Sequence, residues 1–222
     1  MRLVLIGPPG SGKGTQAKLL ADRLALRYIG TGVILRDAIA HGTPMGKMAE
    51  PYLRDGKYVP DRLVNQLIAE LFRGYERPAQ FVMDGYPRTT AQAIAFNHLL
   101  AEEGLPLDGV VRLVIEDDEV VQRLGGRWSC PNPSCGASYH LRNRPPKVAG
   151  VCDLCGTRLS QRPDDREETI RRRLEVFHST TNQLIEHYRE LEMLRDVSAL
   201  DSVETIYDNI VKSIVAKDSS GS

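Results

Sequence analysis

The most constraining feature of this chain is a glycine-rich turn near its start. Gly7-Pro8-Pro9-Gly10-Ser11-Gly12-Lys13-Gly14-Thr15 follows the apolar run Arg2 to Ile6. It leads into Lys13 to Leu24, which sets Leu19, Leu20 and Leu24 on one helical face. Strand, glycine loop and helix open a parallel α/β sheet. Glycines there let backbone N–H groups turn inward around phosphate oxygens. The helix N-terminus adds about half a positive charge. Gly10, Ser11, Gly12, Lys13, Gly14 and Thr15 are therefore candidate phosphate-binding residues. Lys13 is expected to reach the outer phosphates and Thr15 to orient magnesium or a phosphate. The strict pattern places a hydroxyl directly after the lysine, whereas Gly14 intervenes here. A plain strand-to-helix turn is the rival reading, and the lysine after a strand speaks against it.

Further apolar runs at Arg27 to Ile29, Phe81 to Met83, Val110 to Ile115 and Asp196 to Ala199 read as strands. Helical patterns cover Val33 to His41, Asp61 to Gly74, Thr90 to Glu103 and Ser202 to Val215. A long helix is expected from Asp164 to about Glu192, with Asp164 and Glu167 spaced as a capping box. Ile170, Leu174, Phe177, Leu184, Tyr188 and Leu191 form its apolar stripe. Such alternation predicts a three-layer α/β/α P-loop core with a parallel sheet. Two segments depart from it, a mostly helical one from Gly30 to Pro60 and one rich in Gly, Pro, Cys and Arg from Gly126 to Asp165. The expected division is a core of 1–29, 60–125 and 164–217, insertions at 30–59 and 126–163, and a flexible tail at 218–222.

Charge is balanced globally and concentrated locally. Over 222 residues, 29 Lys and Arg meet 29 Asp and Glu, which makes the chain a poor general polyanion binder. Between Arg123 and Arg173, eleven cations face five acids, a surplus of six, so the remainder carries the opposite charge. A compact cationic region on an acidic body points to a compact anionic ligand rather than nucleic acid. Apolar runs such as Leu3 to Ile6 fall far short of the roughly 18 residues a membrane span needs. The N-terminus lacks the apolar region of a signal peptide, so a cytoplasmic protein with no membrane partner is expected.

Cys130, Cys135, Cys152 and Cys155 are the four cysteines, in two close pairs sixteen residues apart. That spacing is near a zinc ribbon, although the first pair is wider than the commonest form. Four thiolates close a tetrahedral site, so the metal would be structural. Two disulfides are the rival, disfavoured in a reducing compartment. His140 is a substitute ligand only if a thiol is not used. Nucleic-acid binding through Trp128 and Tyr139 is the runner-up for this segment.

Three further segments add to the glycine loop. They are Asp84-Gly85-Tyr86-Pro87-Arg88-Thr89 followed by Gln92, Thr31-Gly32 through Leu35-Arg36, and Arg162-x-Asp164-Asp165 followed by Arg171 to Arg173. In this order along nearly the whole chain they resemble the nucleoside monophosphate kinases, the adenylate kinases in particular. The resemblance implies reversible transfer of a phosphoryl group from ATP with Mg2+ to AMP, giving ADP, by a monomer. Its implied catalytic residues are Lys13, Asp84, Arg88, Arg123, Arg162 and Arg173. The donor nucleotide would meet the glycine loop, Arg123, Arg127, Ser138, Tyr139 and Leu200. The acceptor would meet Thr31, Arg36, Lys57, Tyr58, Val59, Gly85, Tyr86, Pro87, Arg88, Gln92, Arg162 and Arg173. Segment 30–59 would be the monophosphate-binding insertion, and 126–163 a lid with structural Zn2+.

That chemistry suits these residues. The acceptor phosphate is already an oxyanion, so positioning and charge balance replace a general base. Arginine grips a phosphate with two parallel hydrogen bonds. Arg123 and Arg127 lie four apart, which a helical turn would set on one side. Asp84 ends a strand, where a carboxylate suits magnesium or its water. Gln92 offers donor and acceptor to a base edge. Three positions depart from the family: Val33 stands for the usual Asp, Gly30 for Ser or Ala, and Leu200 for Lys. A kinase for another monophosphate and a nucleotide-gated zinc adaptor remain the rival functions.

Overall fold

A computed structural model describes residues 1–75 and 77–215. The expected tail at 218–222, and the last two residues of the expected core, lie outside them. In chain order the strands are β1 (Arg2–Ile6), β2 (Arg27–Gly30), β3 (Phe81–Asp84), β4 (Gly109–Val114), β5 (Arg127–Ser129), β6 (Ser138–His140) and β7 (Leu194–Ser198). The helices are α1 (Lys13–Leu24), α2 (Thr31–Ala40), α3 (Pro44–Arg54), α4 (Asp61–Arg73), α5 (Thr90–Glu102), α6 (Asp117–Gly125), α7 (Glu167–Glu190) and α8 (Val203–Val215). Five strands form a parallel sheet in the order β2-β3-β1-β4-β7.

Period-two alternation sends successive side chains to opposite faces. Leu3 and Leu5 of β1 pack with α1 and α8 residues such as Leu20, Ile206 and Ile210. Val4 and Ile6 face the other way, against Ile68 and Phe72 of α4, Phe96 of α5, and Leu184 and Tyr188 of α7. The central strands are thus buried on both faces, which is why they read as unbroken apolar runs. On the second face Phe72 meets Phe81 edge-on at 5.1 Å and Tyr86 meets Phe96 edge-on at 5.2 Å. Each such ring stabilises the fold by about 2–3 kcal/mol through burial. Tyr86 therefore ties the turn after β3 directly to the core.

Two expectations need correction. The long helix begins at Glu167 with Arg166 as its N-cap and no side-chain cap, because Pro163–Asp165 forms a separate single 3₁₀ turn. Asp164 makes no capping box: its carboxylate lies 3.0 Å from Arg173 Nη1 instead. Arg123 and Arg127 do not share a helical turn either, since α6 ends at Gly125 and Arg127 opens β5. The helix α6 itself escapes the apolar pattern because its first turn is Asp117-Asp118-Glu119, leaving Val120 and Leu124 as its buried residues.

The segment from Gly126 onward is built differently. β5 and β6 form an antiparallel ribbon pairing Trp128 with Tyr139, and Ser129 bridges to Ser160. Its buried apolar cluster consists of Cys130, Tyr139, Cys152 and Leu159. No helix among the described residues is long and apolar enough to cross a membrane.

Candidate active site

The site lies at the carboxyl ends of β1, β2 and β3, where crevices outside a parallel sheet open. The loop after β1 enters α1 through Gly12, whose φ of 92° is costly for any side chain but glycine's hydrogen. No side chain caps α1, and of its first-turn N–H groups that of Thr15 turns back to the Gly12 carbonyl at 3.0 Å, leaving those of Lys13 and Gly14 to face a bound anion. Gly14 answers the irregularity in the sequence motif. A Cβ there would stand 3.2 Å from Asp84 Oδ2, so the glycine lets the β3 carboxylate sit against the first turn of α1.

Lys13 folds back on its own loop. Its Nζ donates to the carbonyls of Gly7 and Pro8, each at 2.7 Å, and to Ser11 Oγ at 3.4 Å. Burial pushes the ammonium down to about 7; Asp84 opposes this, while Arg88, Arg173 and Arg127 add to it.

Those arginines converge from distant parts of the chain. Arg36 comes from α2, Arg88 from the turn after β3, Arg127 from β5, Arg162 from the segment before the 3₁₀ turn, and Arg173 from α7. Burial first, and mutual repulsion second, hold Arg36, Arg162 and Arg173 below the usual guanidinium range, Arg162 at about 10. Two acids hold the ring together. Arg127 grips the buried Asp165 with two parallel hydrogen bonds, one of them 2.8 Å. Arg173 reaches Asp164 and, at 3.8 Å, Asp165, while Arg36 lies 4.0 Å from Asp164. Burial would raise the Asp164 carboxyl, yet Arg173, Arg36, Arg127 and Arg162 together hold it below its ordinary value. Of the triplet 171–173, Arg171 pairs outward with Glu167 and Arg172 is exposed, so Arg173 alone turns into the cleft. Arg123 is turned to Glu119 at 2.7 Å rather than to these acids.

The turn after β3 is braced from within. Arg88 Nε donates to Gly85 O at 2.7 Å, and its guanidinium lies 5.0 Å from the centre of the Tyr58 ring. Thr31 Oγ1 donates to Gly85 O at 2.9 Å. Tyr86 is buried in the core and donates to Asn65, and the Tyr86–Pro87 bond is cis. Gln92 is 2% exposed, and both ends of its amide are engaged inside the protein. Its oxygen accepts from the Arg88 N–H at 2.7 Å and its nitrogen donates to Asp61 Oδ1 at 2.7 Å. In this arrangement Gln92 shapes the Arg88 turn with one hydrogen bond at each end of its amide. Asp61, which also accepts from Thr89, was not singled out in the sequence; its place after Pro60 at a helix start was the available signal.

The remaining expected residues are less central. Val59 is buried, Lys57 is exposed, and its N–H donates to Tyr52 O at 2.8 Å. Ser138 is exposed on β6, whereas the Tyr139 hydroxyl turns inward to Cys152 Sγ at 3.5 Å and accepts from the Asp153 N–H at 2.7 Å. Leu200 is 60% exposed just past β7, and Val33 is 47% exposed on α2.

The four cysteines are free thiols whose sulfur atoms lie within 4.8 Å of one another. Cys130 and Cys155 are 3.4 Å apart and Cys135 and Cys152 3.7 Å, both far beyond a bonded pair. Tight turns at Gly136 and Gly156 accept this geometry through hydrogen bonds to Asn132 O and Cys152 O, each 2.9 Å. His140 stays out of the cluster and accepts the N–H groups of Arg142 and Asn143.

The sequence profile of the adenylate kinase family matches residues 5–193. The chain is 46% identical to an adenylate kinase of Acidothermus cellulolyticus over 206 residues, covering 93% of this chain and 94% of that one. It is 42% identical to an adenylate kinase of Streptomyces avermitilis over 220 residues, 99% of this chain and 100% of the relative. An adenylate kinase of Geobacter sp. is 45% identical over 216 residues, 97% of this chain and 100% of its own. Profile, relatives and the arginine-lined cleft behind the glycine loop agree, and the chain belongs to the adenylate kinase family of nucleoside monophosphate phosphotransferases.

Proposed function

We propose that the protein transfers a phosphoryl group reversibly between MgATP and AMP, giving two ADP. The observation that carries this is the convergence of Lys13, Arg36, Arg88, Arg127, Arg162 and Arg173 on one cleft beside Asp84. Six cations match the charge of two polyphosphate tails meeting end to end. The loop N–H groups and Lys13 bind the donor's outer phosphates. Arg36 and Arg88 orient the acceptor phosphate, and the Tyr58 ring and Gly85 carbonyl fix the Arg88 plane. Arg162, Arg173 and Arg127, with Arg123 at the rim, stabilise charge on the group in transit. Arg127 and Arg173 are preorganised by Asp165 and Asp164, so little ordering remains for the reaction step. Thr31, Gln92, the 57–59 backbone, and Tyr86 and Pro87 shape the acceptor pocket; Ser138, the Tyr139 backbone and Leu200 border the donor.

Thr15 and Asp84 offer a hydroxyl and a carboxylate, oxygen donors of the type magnesium takes. Magnesium bound there supplies charge neutralisation across the donor phosphates. The cysteine cluster fits Zn2+ equally well. Sulfurs at ~2.3 Å from a tetrahedral ion stand ~3.8 Å apart, close to the spacings of 3.4 and 3.7 Å seen here. We assign a structural zinc to Cys130, Cys135, Cys152 and Cys155. Segments 30–59 and 126–163 act as two covers that close over the nucleotides and keep water out. One chain supplies every group, as a monomeric enzyme requires, and four free thiols suit the cytoplasm.

A coupled assay of ADP formation from ATP with AMP, CMP, UMP or GMP in turn tests the reading. Activity highest with AMP supports it. Activity highest with another monophosphate removes the AMP assignment, and none with any acceptor removes the catalytic one.

A further inference from the structure

A tyrosine outside the recognised motifs touches the same carboxylate as the glycine loop. Parallel pairing of β2 with β3 sets Tyr28 beside Val82 and Gly30 beside Asp84. Tyr28 and Gly30 are two apart on one strand, so their side chains leave by the same face. The Tyr28 ring leans forward over Gly30, and its Oη lies 3.4 Å from Asp84 Oδ2. A Cβ on Gly30 would stand 2.2 Å from that Oη and 2.6 Å from Cζ. Gly30 has φ −105° and ψ 99°, a conformation open to every residue. Its missing side chain therefore answers to the phenol and not to the backbone. On the other side, Asp84 Oδ2 would be 3.2 Å from a Cβ on Gly14. One carboxylate oxygen is thus enclosed between a phenol and the first turn of α1, with a glycine clearing the space on each side.

We infer that Tyr28 is a positioning residue, whose phenol, seated over Gly30, donates to Asp84 and fixes the carboxylate against the phosphate loop. The assignment rests on the reading that Asp84 serves the nucleotide's metal. A carboxylate with two free torsions samples several orientations. A donor on one oxygen removes that freedom before the nucleotide arrives, and preorganisation of this kind favours the bound geometry.

The test is Mn2+ binding to the protein–ATP complex without AMP, read by electron paramagnetic resonance, alongside kcat and KM for AMP. Tyr28→Phe keeps the ring and removes one oxygen. It is expected to weaken Mn2+ binding and lower kcat by about three- to tenfold, the weight of one long hydrogen bond of ordinary strength, with KM for AMP unchanged. Gly30→Ala, which pushes the ring aside, is expected to give the same pattern. In an Asp84→Asn background neither change should cost anything further. An unchanged Mn2+ affinity in Tyr28→Phe, with Asp84→Asn weakened, overturns the role of Tyr28. Equal losses from Tyr28→Phe with and without Asp84 would make the ring merely structural and overturn it too. Unaltered Mn2+ binding in Asp84→Asn would instead remove the reading of Asp84 itself. Matched thermal melts separate all of these from unfolding.

Discussion

The sheet core and the cysteine ribbon solve the same problem with different means. Around the sheet, two apolar clusters bury side chains on both faces, among them Phe72, Phe81, Phe96, Leu20 and Ile210. In the ribbon the buried cluster is Cys130, Tyr139, Cys152 and Leu159, two of which are themselves thiols. At about 25 cal/mol per Å² of buried apolar surface, so small a cluster cannot offset the ordering of nearly forty residues. The core folds on hydrophobic burial, whereas the ribbon needs a cross-link. Yet the ribbon carries Arg127 and leads to Arg162, so two of the five arginines in the cationic ring hang on the less self-sufficient part.

Removing the proposed zinc should separate the two regions most strongly. Structural zinc in small domains contributes about 10 kcal/mol or more of apparent folding free energy. With a strong chelator, or in Cys152→Ser, amides of 126–160 are expected to exchange like an unfolded chain while the core strands keep their protection. Mass spectrometry should show one zinc lost, and kcat should collapse. Full ribbon protection without metal would show that the apolar cluster suffices and erase the contrast.

The converse change is Phe81→Ala. Phe81 is fully buried between Phe72 and Phe96, and a large-to-small change there costs about 3–5 kcal/mol. The melting temperature should fall with zinc content unchanged. A zinc loss that tracks the core's melting would mean the two regions share one cooperative unit.

Asp165→Asn tests the seam between them. The Asp165 carboxylate is fully buried and holds Arg127 of the ribbon with Arg173 of α7 nearby. A hydrogen bond to a charged group contributes about 1.5–3 kcal/mol, so kcat should fall about ten- to a hundredfold. Zinc content and core melting are expected to stay as they were. A rise in KM for AMP with kcat intact would place the acid in ground-state binding instead.

The same contrast explains what the sequence revealed. The central strands β1, β3 and β4, buried on both faces, carry unbroken apolar runs and were legible within a few residues, while the edge strands β2 and β7 showed only short runs at about the right place; the cysteine spacing was legible too. The glycine loop was legible because its backbone demands particular residue types, and the Asp84 to Arg88 turn through its resemblance to the family. Relations across the fold were not. Gly14 looks like a flaw in the loop motif until Asp84 is seen against it. Asp164 has the spacing of a capping residue, but the pull of Arg173 and Arg36 outweighs a cap. That Asp61, thirty-one residues away, braces the Gln92 amide was equally hidden. Tyr28 carried no motif at all. Each of these depends on charge or packing between distant segments, which local periodicity does not encode.

The smallest expected effect lies within the core, at Lys13. Its ammonium is held at about 7 by burial and by the neighbouring arginines, with Asp84 opposing. Donor phosphates favour the protonated form, so binding raises this value. Below about pH 6 the amine is almost fully charged both free and bound, and ATP binding takes up little proton there. Near pH 8 the free protein holds it mostly neutral, so binding should take up close to one proton, and affinity should weaken by up to tenfold per pH unit above 7. Calorimetry of ATP binding at pH 8 in two buffers of different ionisation enthalpy measures this directly. Lys13→Met should abolish the uptake, whereas zinc-site variants that still bind ATP should retain it, because the charge responsible sits on the loop after β1 and not in the ribbon. Uptake that persists in Lys13→Met would move the titration to another group and show that the loop amine is charged throughout.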